Sequence, residues 1–122
     1  MNEEIALLDK TNINENYINV RFVINGTYLA SAEISKFPGE NHIWYFNRLI
    51  VPKAFRNKKI ATKLMNKLTT ILDKNKIILY CDINPYGDLN FDQLKDFYKK
   101  FGFEDHDSCD LIRIGNYDKN IS

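Results

Sequence analysis

The chain has 122 residues, of which 44% are hydrophobic and 13% aromatic, enough to fill one core without disulfides or a structural metal. Its 17 basic and 16 acidic side chains leave a formal net charge of +1, which argues against a dedicated nucleic-acid-coating protein and against an acidic disordered tail. No apolar run approaches the roughly 20 residues that cross a bilayer, and the opening MNEEIALLDK lacks the layout of an export signal. The expectation is therefore one cytoplasmic domain over residues 1–122, with no membrane or nucleic-acid partner and with Cys81 and Cys109 as free thiols.

Along the chain, Glu4 to Asp9 is a short strand candidate. Tyr17 to Ile24 alternates Ile18, Val20 and Phe22 against Tyr17, Asn19 and Arg21, the period of a strand. Asn25-Gly26 is a strong hairpin signal because both residues tolerate positive φ, and Thr27 to Lys36 is the antiparallel partner. A turn at Phe37-Pro38-Gly39-Glu40 leads into a longer strand, Ile43 to Val51. After Pro52 the period changes. Ile60, Ala61, Leu64, Met65, Leu68, Ile71 and Leu72 recur at helical spacing. Ile77 to Ile83 is almost unbroken in apolar residues, as a strand covered on both faces would be. A second helix is predicted from about Asn90 to Phe101, with Asn90 and Gln93 as a capping box and Gly102 just past its end. Phe103 to His106 and Asp110 to Gly115 can close the sheet as a pair of strands. The order is ββββ-α-β-α-ββ, an α+β fold.

The stretch Asn47 to Thr62, NRLIVPKAFRNKKIAT, is a strand running through a basic loop into an amphipathic helix. The first turn of a helix has unpaired N–H groups and partial positive charge, and Arg56, Lys58 and Lys59 add full charges there. A pyrophosphate would suit such a loop. The plainer reading makes each cation a solvated side chain.

Here the residues resemble a known family. Arg56-Asn57-Lys58-Lys59-Ile60-Ala61 is similar to the Gln/Arg-x-x-Gly-x-Gly/Ala loop of the GNAT N-acetyltransferase superfamily, and Phe97-Tyr98-Lys99-Lys100-Phe101-Gly102-Phe103 resembles its FYxxxGF element. Leu49-Ile50-Val51-Pro52, just before the loop, looks like the family's strand four, and the likeness spans residues 43 to 104. It implies a mixed, mainly antiparallel sheet of about seven strands with two main helices. It also implies acetyl-CoA as acyl donor, an amine acceptor and direct transfer in a ternary complex; no metal is expected, because His106 and Cys109 at i, i+3 have no second ligand pair.

By that resemblance, the backbone of Leu49, Ile50 and Val51 would bind the pantetheine arm, and an N–H near Ile50 would meet the oxyanion. The amides of Asn57, Lys58, Lys59, Ile60, Ala61 and Thr62 would cradle the pyrophosphate beside Arg56, although Lys59 replaces the family's first glycine. Asn90 lies one residue from a position that contacts the pantetheine. Tyr98 would be the general acid, or else an aromatic on the core face of its helix. Asp82, at the end of its strand, is one candidate base and Glu33, acting through a relayed water, is the second; a water chain with no dedicated base is the third option. Tyr45 stands where other members place a carboxylate, and Tyr86 and Asp88 are candidates to line the acceptor site.

Most members carry one or two helices between their first two strands, and these wall the acceptor site. Only seven residues, Lys10 to Asn16, are present in that interval, so the wall is expected to be absent or supplied by a second copy in a homodimer. Two other classes stay in view: a non-catalytic CoA-binding or protein-interaction module on the same fold, and a small nucleic-acid-binding domain, which the charge balance disfavours.

Overall fold

A computed structural model of the chain describes residues 4–85 and 89–115. Eight strands form one sheet: β1 (Leu7–Asp9), β2 (Asn12–Ile13), β3 (Tyr17–Ile24), β4 (Tyr28–Lys36), β5 (Ile43–Ile50), β6 (Ile78–Cys81), β7 (Glu104–Asp105) and β8 (Leu111–Arg113). The spatial order is β1-β3-β4-β5-β6-β8-β7, with β2 beside β3. Every pairing is antiparallel except β5 with β6. Parallel neighbours require a crossover, and helix α1 (Ile60–Lys74) supplies it; α2 (Phe91–Lys99) follows β6.

The expected elements form, with shorter strands at both ends of the chain. The β3–β4 hairpin turns where Asn25 and Gly26 both take positive φ, 51° and 75°. Asn25 also secures the sheet edge, because its Oδ1 accepts from the Ala6 N–H at 2.9 Å. The interval Lys10 to Asn16 holds the two-residue β2 and no helix. That strand has too few residues to show a period. Both helices lie on one face of the sheet, over Ile18, Val20, Ala32, Ile34, Phe46 and Leu49, and α1 buries Leu64, Met65, Leu68 and Leu72 against it. No described helix is long and apolar enough to cross a membrane.

Arg113 on β8 is a buried clasp. Its side chain is 6% exposed; the guanidinium donates to both oxygens of Asp73 on α1 at 3.0 and 3.2 Å, and Nε donates to the Phe101 carbonyl just after α2 at 2.6 Å. Gly102 at φ +93° brings the chain so close that an added Cβ would meet the Arg113 Nε at 3.3 Å. A side chain there would meet both strain and crowding. Breaking a buried pair leaves an uncompensated charge, and Asp73 is itself about one third exposed, which moderates the loss. Asp73→Ala is expected to cost roughly 2 kcal/mol in urea unfolding; a change within a few tenths would show that Arg113 is held by the Phe101 carbonyl alone.

Candidate functional site

The site grows from one irregularity. Along the β4–β5 ladder Glu33 pairs with Arg48, but Ile34 pairs with Phe46, so Asn47 is an extra residue on β5. A bulge of this kind bends its strand and sharpens the local twist. The parallel pairing of β5 with β6 covers only Ile43 to Tyr45 against Ile78 to Tyr80, although β5 continues to Ile50. Beyond the bulge the two strands have parted, and the β6-facing edge of β5 carries backbone groups that no strand pairs.

At the end of that edge lies a cleft of about 360 Å3, lined by Leu49, Val51, Phe55, Arg56, Asn57, Lys59, Ile60, Ala61, Thr62, Leu89, Leu94 and Phe97. Its floor is apolar. Its mouth is the loop entering α1. Asn57 and Lys59 both adopt left-handed backbone, at φ 63° and 64°, and Lys59 is the residue that caps the helix. Lysine in this conformation crowds its Cβ against the carbonyl, a cost on the order of 1 kcal/mol that glycine avoids. The Arg56 Nε donates to the Val51 carbonyl at 3.2 Å, folding the guanidinium back onto the end of the strand.

Eight of the eleven residues expected to hold the acyl donor line this cleft. Ile50, Lys58 and Asn90 do not. Ile50 pairs with Ser31, which puts it on the opposite face of the sheet from Leu49, and Lys58 is an exposed loop residue. Asn90 caps α2: its Oδ1 accepts from the Gln93 N–H and its own N–H donates to Gln93 Oε1, both at 2.9 Å. Phe55, Leu89, Leu94 and Phe97 line the cleft without having been singled out for it. Leu94 and Phe97 were legible as an i, i+3 pair on one helix face; Leu89 and Phe55, in irregular segments, carried no such signal.

Tyr98 is 7% exposed and packs among rings, with Phe46, Phe97 and Phe103 at centroid distances of 5.6 Å each. It is not among the cleft-lining residues, but Phe46 is the residue immediately before the bulge, so Tyr98 lies at the point where β5 leaves β6.

The other face of the sheet carries no described helix; Leu8, Val23, Leu29 and Ile50 make it apolar toward β1, and polar side chains gather on it around Glu33 and Asp82. Asp82, just past β6, accepts from the Tyr45 hydroxyl at 3.1 Å and from the Asp110 N–H at 3.2 Å. The Tyr45–Asp82 contact bridges β5 and β6 at the end of their pairing. Burial, with the Asp82 hydrogen bond and charge added, raises the Tyr45 pKa above the ordinary phenol value. Glu33 accepts from the Tyr17 hydroxyl at 2.5 Å and pairs with the Arg48 guanidinium. Burial alone would raise the Glu33 pKa, but the hydrogen bonds from Tyr17 and Arg48 and the Arg48 charge outweigh it and hold the carboxyl below its usual range. Tyr17 is pushed up to about 12, by burial first and then by Glu33. Tyr17 and Arg48 were not foreseen as parts of this group. The alternation of β3 placed Tyr17 off the core face, but the Glu33 partnership depends on strand register. Tyr86 and Asp88 lie outside the described residues.

Residues 18–105, well over half of the chain, match the family model described as the acetyltransferase (GNAT) domain. The chain belongs to the GNAT acetyltransferase family. Solved GNAT structures share its fold at low identity. A GNAT-family protein from Desulfovibrio desulfuricans is 12% identical with a TM-score of 0.62, over 75% of this chain and 57% of that one. A GNAT acetyltransferase from Staphylococcus aureus Mu50 is 19% identical with a TM-score of 0.61, over 81% of this chain and 66% of that one. An aminoglycoside 6'-N-acetyltransferase complexed with coenzyme A is 20% identical with a TM-score of 0.55, over 81% of this chain and 70% of that one. The chain thus spans less than two thirds of the length of the first two. No curated protein sequence matches.

Two expectations follow for this GNAT domain. Lys59→Gly removes the left-handed strain at the start of α1, so thermal unfolding should rise by a few degrees, for a gain of up to about 1 kcal/mol; an unchanged or lower midpoint would mean that the loop holds Lys59 without cost. Because the folded-state pKa of Glu33 is depressed, its stabilisation is present above the unfolded glutamate value of about 4.3 and is lost as pH falls through the lower folded value. Glu33→Gln should therefore be less stable than the parent at pH 7, and the gap should close in acid; a constant difference across pH 2 to 7 would contradict this linkage.

Proposed function

We propose that the protein is an N-acetyltransferase that moves an acetyl group from acetyl-CoA to an amine, by direct transfer in a ternary complex within a single domain over residues 1–122. The observation that carries the reading is the continuity of the cleft with the unpaired edge of β5. An apolar floor lined by Leu49, Val51, Leu94 and Phe97 passes into a mouth of left-handed backbone and cationic side chains. This is the surface required by a long, thin ligand with an apolar arm and an anionic end. Membership of the GNAT family and the likeness to a neighbour complexed with coenzyme A support the same donor.

Acetyl-CoA supplies the acyl group as a thioester. The backbone of Leu49, Ile50 and Val51 aligns the pantetheine arm along β5, and the loop Arg56 to Thr62 holds the pyrophosphate, with Lys59 contributing charge where a glycine would contribute close approach. Asp82, with Tyr45 as its hydrogen-bond partner, takes the proton of the attacking amine at the mouth of the β5–β6 gap. Tyr98 donates its phenolic proton to the departing thiolate. Both oxygens of Glu33 already accept hydrogen bonds from protein side chains, so its part is to orient Arg48 rather than to act as base. The helix-free face leaves the acceptor side open, or available to a second copy in a homodimer.

One observation favours a non-catalytic CoA-binding module on the same fold: Tyr98 lies in an aromatic cluster rather than in the cleft lining. Thermal stabilisation by acetyl-CoA, followed by thiol release on an amine panel, separates the two. No stabilisation removes both; stabilisation without turnover leaves the module. For the enzyme, Tyr98→Phe should lower kcat about 100-fold or more, the usual contribution of a positioned acid, while acetyl-CoA affinity changes little. Equal losses in both would identify Tyr98 as a packing residue.

A further inference from the structure

The strongest feature outside the donor cleft lies on the helix-free face of the sheet. Arg48 on β5 is directly opposite Glu33 on β4, which is directly opposite Asn19 on β3, while Arg21 on β3 faces Ser31. The Glu33 side chain is 14% exposed, a depth at which a carboxylate persists only when paired. Two groups hold it: the Tyr17 hydroxyl takes Oε1 and the Arg48 Nε takes Oε2. Arg48 is thus pinned at its inner nitrogen, while its side chain as a whole is 59% exposed. Holding a guanidinium by its Nε fixes the plane of the fork and leaves the terminal N–H groups to face outward.

Charge points the same way. Arg21 and Arg48 both act electrostatically on Tyr17 and Glu33, so two cations surround one carboxylate and the group carries a net positive charge. Beneath it, Asn19 is 7% exposed, and its Oδ1 finds no donor among the described residues. A buried acceptor without a donor is costly, and it marks this polar layer as incompletely satisfied in the free protein. Past the bulge in the other direction, Asp82 and Tyr45 form the negative end. Tyr45 and Arg48 share a face and lie two pleats apart, roughly 7 Å along the strand.

We infer that the acceptor is a small zwitterionic amine, an amino acid or a close relative, whose carboxylate is held by the outward fork of Arg48 while its amine reaches the Tyr45–Asp82 end of the same face. This rests on the acetyltransferase reading above and adds the acceptor's chemistry to it. Arg48 is then a specificity-determining residue, and Tyr17 and Glu33 are positioning residues that act through it. A guanidinium fork binds a carboxylate through two parallel N–H donors, which a lysine ammonium does not reproduce.

The test uses matched pairs: glycine, β-alanine, 4-aminobutyrate and 6-aminohexanoate, each against the alkylamine of equal chain length. With the full chain labelled with 15N-arginine, at least one amino acid should shift the Arg48 Nε–H resonance and bind at least 10-fold more tightly than its alkylamine. In thiol release the same amino acid should show at least a 10-fold higher kcat/KM. Arg48→Lys keeps the charge beside Glu33, so the fold is preserved, and should bring the preference to within about 3-fold; Arg48→Gln should abolish it. An unmoved Arg48 resonance, or equal affinities within every pair, overturns the inference. Thiol release with alkylamines as fast as with amino acids overturns it too, while leaving acetyl transfer standing. If acetyl-CoA fails to bind, the acetyltransferase reading falls, and the arginine resonance still decides whether this face takes a carboxylate.

Discussion

One extra residue on one strand organises this molecule. Because Asn47 interrupts the β4–β5 ladder, β5 cannot remain beside β6 after Tyr45, and the only parallel pairing in the described sheet lasts three residues. The strands must nevertheless stay joined at their start, since α1 connects them as a crossover and packs its apolar face over both β3 and β4. The outcome is a sheet that is continuous at one end and split at the other. Along the split, the hydrogen bonds that a regular ladder would have formed between β5 and β6 are left unmade. Each feature of the site is placed relative to that split: the cleft lies along its edge, Tyr98 packs on the residue before the bulge, and Asp82 stands at the tip of the shorter strand.

The two faces of the sheet then divide the chemistry. The helix-covered face is apolar, and the cleft between the start of α1 and the Leu94–Phe97 side of α2 inherits that character, with cations added only at the loop. The bare face is mixed: Leu8, Val23 and Leu29 make it apolar toward β1, while nearer β6 its polar side chains pair across register, Tyr17 to Glu33 to Arg48 and Tyr45 to Asp82. The paired polar part of this face tolerates water without a covering helix. Its side chains are free to be chosen for what they contact.

Much of this was legible in the sequence, and what was not has a physical reason. The helices were readable because Ile60 to Leu72 and Leu94 to Phe101 keep a period of 3.6 over several turns, and the hairpin because Asn25-Gly26 is a local conformational demand. The loop from Arg56 to Thr62 was readable as a cationic entry to a helix because its charges are clustered. The bulge was not, since Asn47 differs from its neighbours only in what lies opposite, and pairing is a property of two strands. The Glu33–Arg48 and Tyr45–Asp82 pairs were hidden for the same reason: their members are 15 and 37 residues apart. Lys59 could be read as a departure from glycine, but not as a lysine that accepts the glycine's backbone conformation.

Arg113 gives the architecture a lever. It fastens the last turn of α1 and Phe101, two residues past α2, to a single strand, and on α1 it acts at the end opposite Ile60, Ala61 and Thr62, which line the cleft. Asp73 lies thirteen residues beyond Ile60, roughly 20 Å along the α1 axis at the usual rise. A rod pinned at one end has its greatest excursion at the other. A tilt of a few degrees about the clasp would widen or narrow the cleft mouth by an ångström or so while the core layers next to the pin hardly move. At the far end of that rod Ile60, Leu64 and Met65 are buried in the core, so the aperture of the cleft and the packing over β3 and β4 form one mechanical unit.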